Sequence, residues 1–143
     1  MARVSKQVQV GYTPEQMYDL VNDVKAYSSF IPLCSASEVH EQHDHQMRAT
    51  LTISKGKAGF SFTTLNSMEK GRLIIMELEN GPFKSFKGVW RFTPNGFHGC
   101  LISLEFEFEF ASRLLNAAFS GVFKQLCESM IESFKKEAIA RYG

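Results

Sequence analysis

The stretch CLISLEFEFEFASRLLNAAFSGVFKQLCESMIESFKKEAI, residues 100–139, changes its hydrophobic rhythm with almost no gap between two regimes. From Cys100 to Phe110 every even position is apolar, through Ile102, Leu104, Phe106 and Phe108, while Ser103, Glu105, Glu107 and Glu109 hold odd positions. That alternation is the signature of a half-buried strand with one apolar and one acidic face. After Ser112, a residue type suited to an N-cap, apolar side chains recur as Leu115, Phe119, Val122, Phe123, Leu126, Met130, Phe134 and Ala138. Lys124, Gln125, Glu128, Glu132, Lys135 and Lys136 fall between them, so the spacing predicts a long amphipathic helix. A helix of about 28 residues runs roughly 42 Å and needs a sheet, or a partner, long enough to cover its stripe.

Upstream, turn signals recur at short intervals: His43-Asp44-His45-Gln46, Lys55-Gly56-Lys57, Glu69-Lys70-Gly71, Glu79-Asn80-Gly81-Pro82 and Pro94-Asn95-Gly96. Between them, Met47, Ala49, Leu51 and Ile53 share a parity, as do Phe60, Phe62 and Met68, then Ile74, Met76 and Leu78, then Phe86, Trp90 and Phe92. Turns this short imply an antiparallel meander. With Val4, Val8 and Val10 on one parity at the start and a further strand near residues 35–42, about seven strands are expected.

A helical insert follows the first strand. Thr13-Pro14-Glu15-Gln16 has the form of an N-cap, a proline at the first helical position and a reciprocal glutamine, leading into Met17, Leu20, Val21 and Val24. A second short helix from Asp23 turns Val24, Tyr27 and Phe30 inward before Pro32 stops it. The expected architecture is α+β over residues 1–143 as one domain, a curved antiparallel sheet wrapped around the terminal helix.

At 143 residues, 44% hydrophobic and 22% charged, the chain has the composition of a globular protein with a core of its own. The N-terminus MARVSKQVQV has no apolar signal region, and no apolar run approaches the roughly 20 residues of a membrane span, so a cytoplasmic location with at most peripheral membrane contact is expected. The three widely spaced cysteines, Cys34, Cys100 and Cys127, make neither a disulfide framework nor a CxxC motif. A net charge of +1 argues against a DNA-binding domain and leaves room only for a local basic patch. Lys55, Lys57, Lys84, Lys87 and Arg91 are the residues that would form it, against RNA phosphate or an anionic membrane surface.

Catalytic groups are hard to place. Glu105, Glu107 and Glu109 lie on the face opposite the apolar one, where they read as a solvated sheet surface. His40, His43 and His45 form an H-x-x-H-x-H cluster, but two of them sit at a hairpin tip, and a solvated turn accounts for them better than a metal site. His98 reads as a surface residue at the start of a strand. HExxH, GxSxG and phosphate-cradling glycine loops are absent. An enzyme such as a cyclase would need a proton-transfer group facing inward.

The positive signal is aromatic density: 13 Phe, one Trp and six Met. Phe62, Trp90, Phe92, Phe106, Phe108, Phe119 and Phe123 either fill the core or, with Phe83 and Met130, wall an apolar pocket that a sheet curved around one helix cannot close. Both readings are open at this level. Ala117, Ala118, Gly121 and Cys127, small residues among the bulky ones, favour the pocket, since Gly121 costs a helix about 1 kcal/mol relative to Ala.

Three groups of residues resemble the coenzyme Q-binding START-like proteins of the polyketide cyclase/dehydrase superfamily. They are Tyr18-Asp19-Leu20-Val21-Asn22-Asp23-Val24 with Tyr27, Phe30 and Pro32; Gly81-Pro82-Phe83-Lys84 with Gly88, Trp90, Arg91, Phe92, Thr93 and Pro94; and Phe106-Glu107-Phe108 leading to Ala118-Phe119 and Val122-Phe123. The likeness extends over essentially the whole chain and implies a helix-grip fold without a catalytic set. Phe83, Trp90, Phe106, Phe119 and Phe123 match apolar motif positions of the family. The resemblance implies a non-enzymatic protein with an apolar pocket for ubiquinone or a related polyisoprenoid lipid, linked to respiration and needing no cofactor. Its alternative implication is the branch of ribosome association toxins, which bind the large ribosomal subunit and block subunit joining.

Overall fold

The computed structural model describes residues 1–97 and 99–143. The expectation for His98 lies outside the described residues. In chain order the elements are β1 (Ala2–Val10), α1 (Pro14–Asn22), a single 3-10 turn (Val24–Ala26), α2 (Tyr27–Phe30), β2 (Cys34–Gln42), β3 (Gln46–Lys55), β4 (Ala58–Glu69), β5 (Leu73–Asn80), β6 (Phe83–Pro94), β7 (Cys100–Phe110) and α3 (Arg113–Tyr142). The seven strands form one antiparallel sheet in the order β1-β7-β6-β5-β4-β3-β2. Sequential hairpins build all of it except the β1–β7 pairing, which sets the first strand beside the last and leaves β1 and β2 at the two edges. Register shifts at Cys34/Ala36, Val39/Glu41, Thr63/Thr64 and Phe83/Ser85 mark bulges, which bend the sheet into its curve.

Local chemistry explains the element ends. The Thr13 hydroxyl accepts from the Gln16 amide at 3.1 Å while the Gln16 side chain accepts from the Thr13 amide at 2.9 Å, so the capping box starts α1 as its sequence requires. Ser112 caps α3 through the Leu115 amide at 3.1 Å. On β7 all six even positions are buried and Glu105, Glu107 and Glu109 face outward, as the alternation demands.

The core lies between the inner face of the sheet and the two helices: α3 packs on β1 and β7, and α1 on β6 and β7. One expectation is corrected. The stripe of α3 is fully buried only from Phe123 onward, through Leu126, Met130, Phe134 and Ala138; Leu115, Phe119 and Val122 are half-buried. Ala117, Ala118 and Gly121 are exposed, and a Cβ added to Gly121 meets nothing within 4 Å. They wall nothing in the interior. A 30-residue helix is about 45 Å long, and its buried residues run only from Phe123 to Ala138.

Candidate functional site

The aromatic residues expected around a pocket gather into two clusters. At the end of the sheet where β4, β6 and β7 approach the first turns of α3, Phe83 stacks on Phe110 at 4.6 Å and meets Phe62 at 5.4 Å and Phe123 at 5.2 Å. Phe123 in turn stands edge-on to Phe108 at 4.8 Å, and Phe60 reaches Phe119 at 5.0 Å. Phe106 joins this group through Phe86 at 5.5 Å and the second through Trp90 at 6.3 Å. In the second cluster Trp90 is edge-on to Phe134 at 5.4 Å and parallel to Phe92 at 6.4 Å, while Tyr27 meets Phe134 at 5.4 Å. Met130 is buried on the α3 face they share. These edge-to-face and offset contacts are the favourable geometry for ring pairs, and here the rings fill space with each other.

A polar niche interrupts the apolar interior. Thr64 and Asn66, both 3% exposed, point inward from β4, and the Thr64 hydroxyl donates to Asn66 Oδ1 at 2.7 Å. Together with Asn22 at the end of α1, Tyr27 and Trp90 they border an interior cavity of about 10 Å³, roughly the room of one water. Asn22 Oδ1 is buried without a hydrogen-bond partner among the described residues. Thr64 and Asn66 share the even register of Phe62 and Met68, so parity places them inward, whereas a polar side chain adds nothing to the hydrophobic period that marks an inner face.

Among the described residues the buried polar ones are Thr64, Asn66 and Ser133, and none of these three is an acid or a base. The three cysteines are buried and free. Burial pushes the Cys34 and Cys100 thiols up to about 11 and the Cys127 thiol higher still, so none is held as a thiolate near neutral pH. Tyr27 donates its hydroxyl to the Val21 carbonyl, and burial raises its pKa beyond the ordinary phenol range. Among the described residues no group of three or more His, Cys, Asp or Glu could hold a metal ion. His40 Nε2 instead stands 2.7 Å from the Thr50 hydroxyl, and His45 Nδ1 3.4 Å from the Met68 carbonyl oxygen.

The five basic residues do not form one patch. Lys87 and Arg91 lie on the outer face of β6, where Lys87 sits in register between Glu77 of β5 and Glu107 of β7. That face is charge-balanced: Arg3 pairs with Glu107 at 2.6 Å. Lys55 and Lys57 flank the β3–β4 turn, and Lys84 begins β6, 3.6 Å from Glu109. An open groove of about 410 Å³ at this end is bordered by Lys84, Glu109, Ser112, Arg113 and Asn116. Arg113 and Asn116 escaped the sequence reading, although the lack of any acid in the first turn of α3 was visible in it.

At the opposite end the C-terminus of α3 is tied down. Arg141 bridges Asp23 at 2.9 Å and Glu137 at 2.8 Å, lies over the Phe30 ring, and Tyr142 donates to the Gln16 carbonyl at 3.0 Å.

Comparison with known proteins agrees with this geometry. The family model described as polyketide cyclase / dehydrase and lipid transport matches residues 10–135. Ribosome association toxin RatA of Vibrio cholerae serotype O1 is 41% identical over 143 residues, 100% of this chain and 99% of that one. The mitochondrial coenzyme Q-binding protein COQ10 of Drosophila melanogaster is 27% identical over 97% of this chain and 59% of its own. The Zhui aromatase/cyclase from Streptomyces sp. R1128 superposes with a TM-score of 0.86 at 16% identity, over 99% of this chain and 96% of that one, which is a likeness of fold. With a curved seven-stranded sheet gripping one long helix and a family match over most of its length, the chain belongs to the polyketide cyclase/dehydrase and lipid-transport family, the START-like helix-grip proteins, alongside the RatA proteins.

Proposed function

We propose that this chain is a ribosome-association protein of the RatA kind, which binds the large ribosomal subunit, hinders subunit joining and so inhibits translation, without catalysis and in the cytoplasm. The observation that carries the reading is the 41% identity to RatA over the full length of both chains. The close-packed interior is in keeping with it: docking on a ribosome uses the outside of the fold, and the rings on the inside fill space with one another. A light-scattering assay of subunit joining tests it. Joining slows in proportion to added protein; a joining rate unchanged at saturating protein rejects the reading.

The quinone-type reading stands second. Its support is the COQ10 likeness, at lower identity and over 59% of that protein. The interior cavity beside Thr64 and Asn66, about 10 Å³, has no room for a ring the size of a benzoquinone, so uptake there would require its walls to part. Organic extraction of protein purified from its native host tests it: ubiquinone or an isoprenoid lipid above a mock preparation supports the reading, and none excludes it.

A further inference from the structure

We infer that the surface meeting ribosomal RNA is the end of the molecule formed by the first turns of α3, the β3–β4 turn and the start of β6, with Arg113, Lys55, Lys57 and Lys84 as phosphate-binding residues. This deepens the ribosome reading and rests on it. Three observations point to this end.

The first is charge. The segments that build it, residues 54–60, 81–86 and 109–121, contain four cations (Lys55, Lys57, Lys84, Arg113) and one carboxylate (Glu109), a net charge of +3 in a chain whose total is +1. The rest of the molecule is therefore net negative, and an RNA approaching it is turned towards this end. The outer sheet face lacks this asymmetry, because Lys87 stands between Glu77 and Glu107.

The second is the helix itself. A carboxylate in the first turn is the stabilising choice at a helix N-terminus, and α1 follows the rule with Glu15. The 30-residue α3 breaks it: no acid lies in its first turn, Arg113 opens it, and no acid follows before Glu128. This arrangement is unfavourable in the isolated protein and favourable once an anion is bound.

The third is exposure. Leu114 is 80% exposed, and Ala117, Ala118 and Gly121 continue an uncovered face beside the groove of about 410 Å³. The Phe60–Phe119 contact at 5.0 Å packs the start of β4, next to the Lys55–Lys57 turn, against the second turn of α3, so the hairpin lysines and Arg113 lie at the same end of the fold. Small side chains allow close approach of a sugar-phosphate backbone, and cations on either side supply its counter-charge.

The test uses the full chain with purified bacterial large ribosomal subunits, reading pelleting affinity as a function of salt. Each phosphate contact contributes a slope of roughly −0.7 to −0.9 in log K against log salt. For Lys55→Gln/Lys57→Gln/Arg113→Gln the slope falls by about 2 to 3 and affinity at physiological salt drops at least about tenfold. Asn116→Lys, which adds a cation to the same groove, tightens binding and steepens the slope by about one; a gain of this kind cannot come from misfolding. Lys25→Gln/Lys136→Gln, at the other end, stays within about twofold of the parent. If the parent never pellets with subunits, the ribosome reading itself fails and the inference with it. If the parent pellets and the triple variant keeps its affinity and slope, the inference alone is overturned. If the triple variant loses binding to phosphatidylglycerol vesicles and not to subunits, the surface is a membrane-docking one and the inference is again overturned.

Discussion

Gly88 of β6 and Phe106 of β7 are register partners, and a Cβ built on Gly88 would stand 2.5 Å from Phe106 Cε1. The ring therefore lies over the glycine, and the missing side chain makes room for it. Replacing Gly88 by Ala forces the ring out of its place among Phe86 and Trp90, with a loss of about 1–3 kcal/mol that outweighs the backbone-entropy gain. Urea unfolding reads this directly. Phe106→Leu in the Gly88→Ala background recovers part of the loss, and strictly additive effects would contradict the contact.

Gly121 behaves in the opposite way. It sits in an exposed helical turn with open space where a Cβ would go. Gly121→Ala raises stability by about 0.5–1 kcal/mol through helix propensity alone. A thermal or urea midpoint that falls would mean the position is packed against something.

The buried pair Thr64 and Asn66 separates breaking an interaction from removing it. Asn66→Ala leaves the Thr64 hydroxyl buried without its acceptor and is expected to destabilise by about 2–3 kcal/mol. Thr64→Val/Asn66→Leu, which removes both polar groups at near-constant volume, stays within about 1 kcal/mol of the parent. Equal losses in the two variants would mean that the pair acts through something other than mutual satisfaction.

The buried thiols set an alkaline limit. Their pKa values rise from the ordinary 9.0 to about 11 for Cys34 and Cys100 and further for Cys127, with burial as the main cause. Between those values the unfolded chain has lost protons that the folded one keeps, so stability is full below about pH 9 and falls as pH rises through 11. Tyr27, also raised by burial, adds to the fall above pH 10. Urea midpoints measured under reducing conditions decline across this window; a flat profile from pH 8 to 11 contradicts the assignment. At pH 8 a thiol reagent labels none of the three until the protein is unfolded.

Much of this was legible in the residues themselves. The even positions of Cys100–Phe110 gave the inward face of β7 and sent three glutamates outward, Thr13 and Ser112 announced the helix starts, and the turn dipeptides marked the meander. What periodicity conveys is which side chains share a face of α3, not whether a sheet lies opposite that face. The stripe at Ala118 and Gly121 therefore read as interior, although the helix outruns its sheet. Parity likewise identified the inward rings but not whether they stand apart or together. That depends on bulges such as the one between Phe83 and Ser85, which brings both Phe83 and Phe86 inward. The basic residues look like one set in sequence, whereas register sets Lys87 between Glu77 and Glu107 and places Lys55 and Lys57 at the β3–β4 turn.

Gradient sedimentation of mixed ribosomal subunits with added protein reads association with the large ribosomal subunit. Protein is expected in the large-subunit fractions, with a matching loss of joined ribosomes. Protein confined to the top of the gradient, with joined ribosomes undiminished, would contradict it.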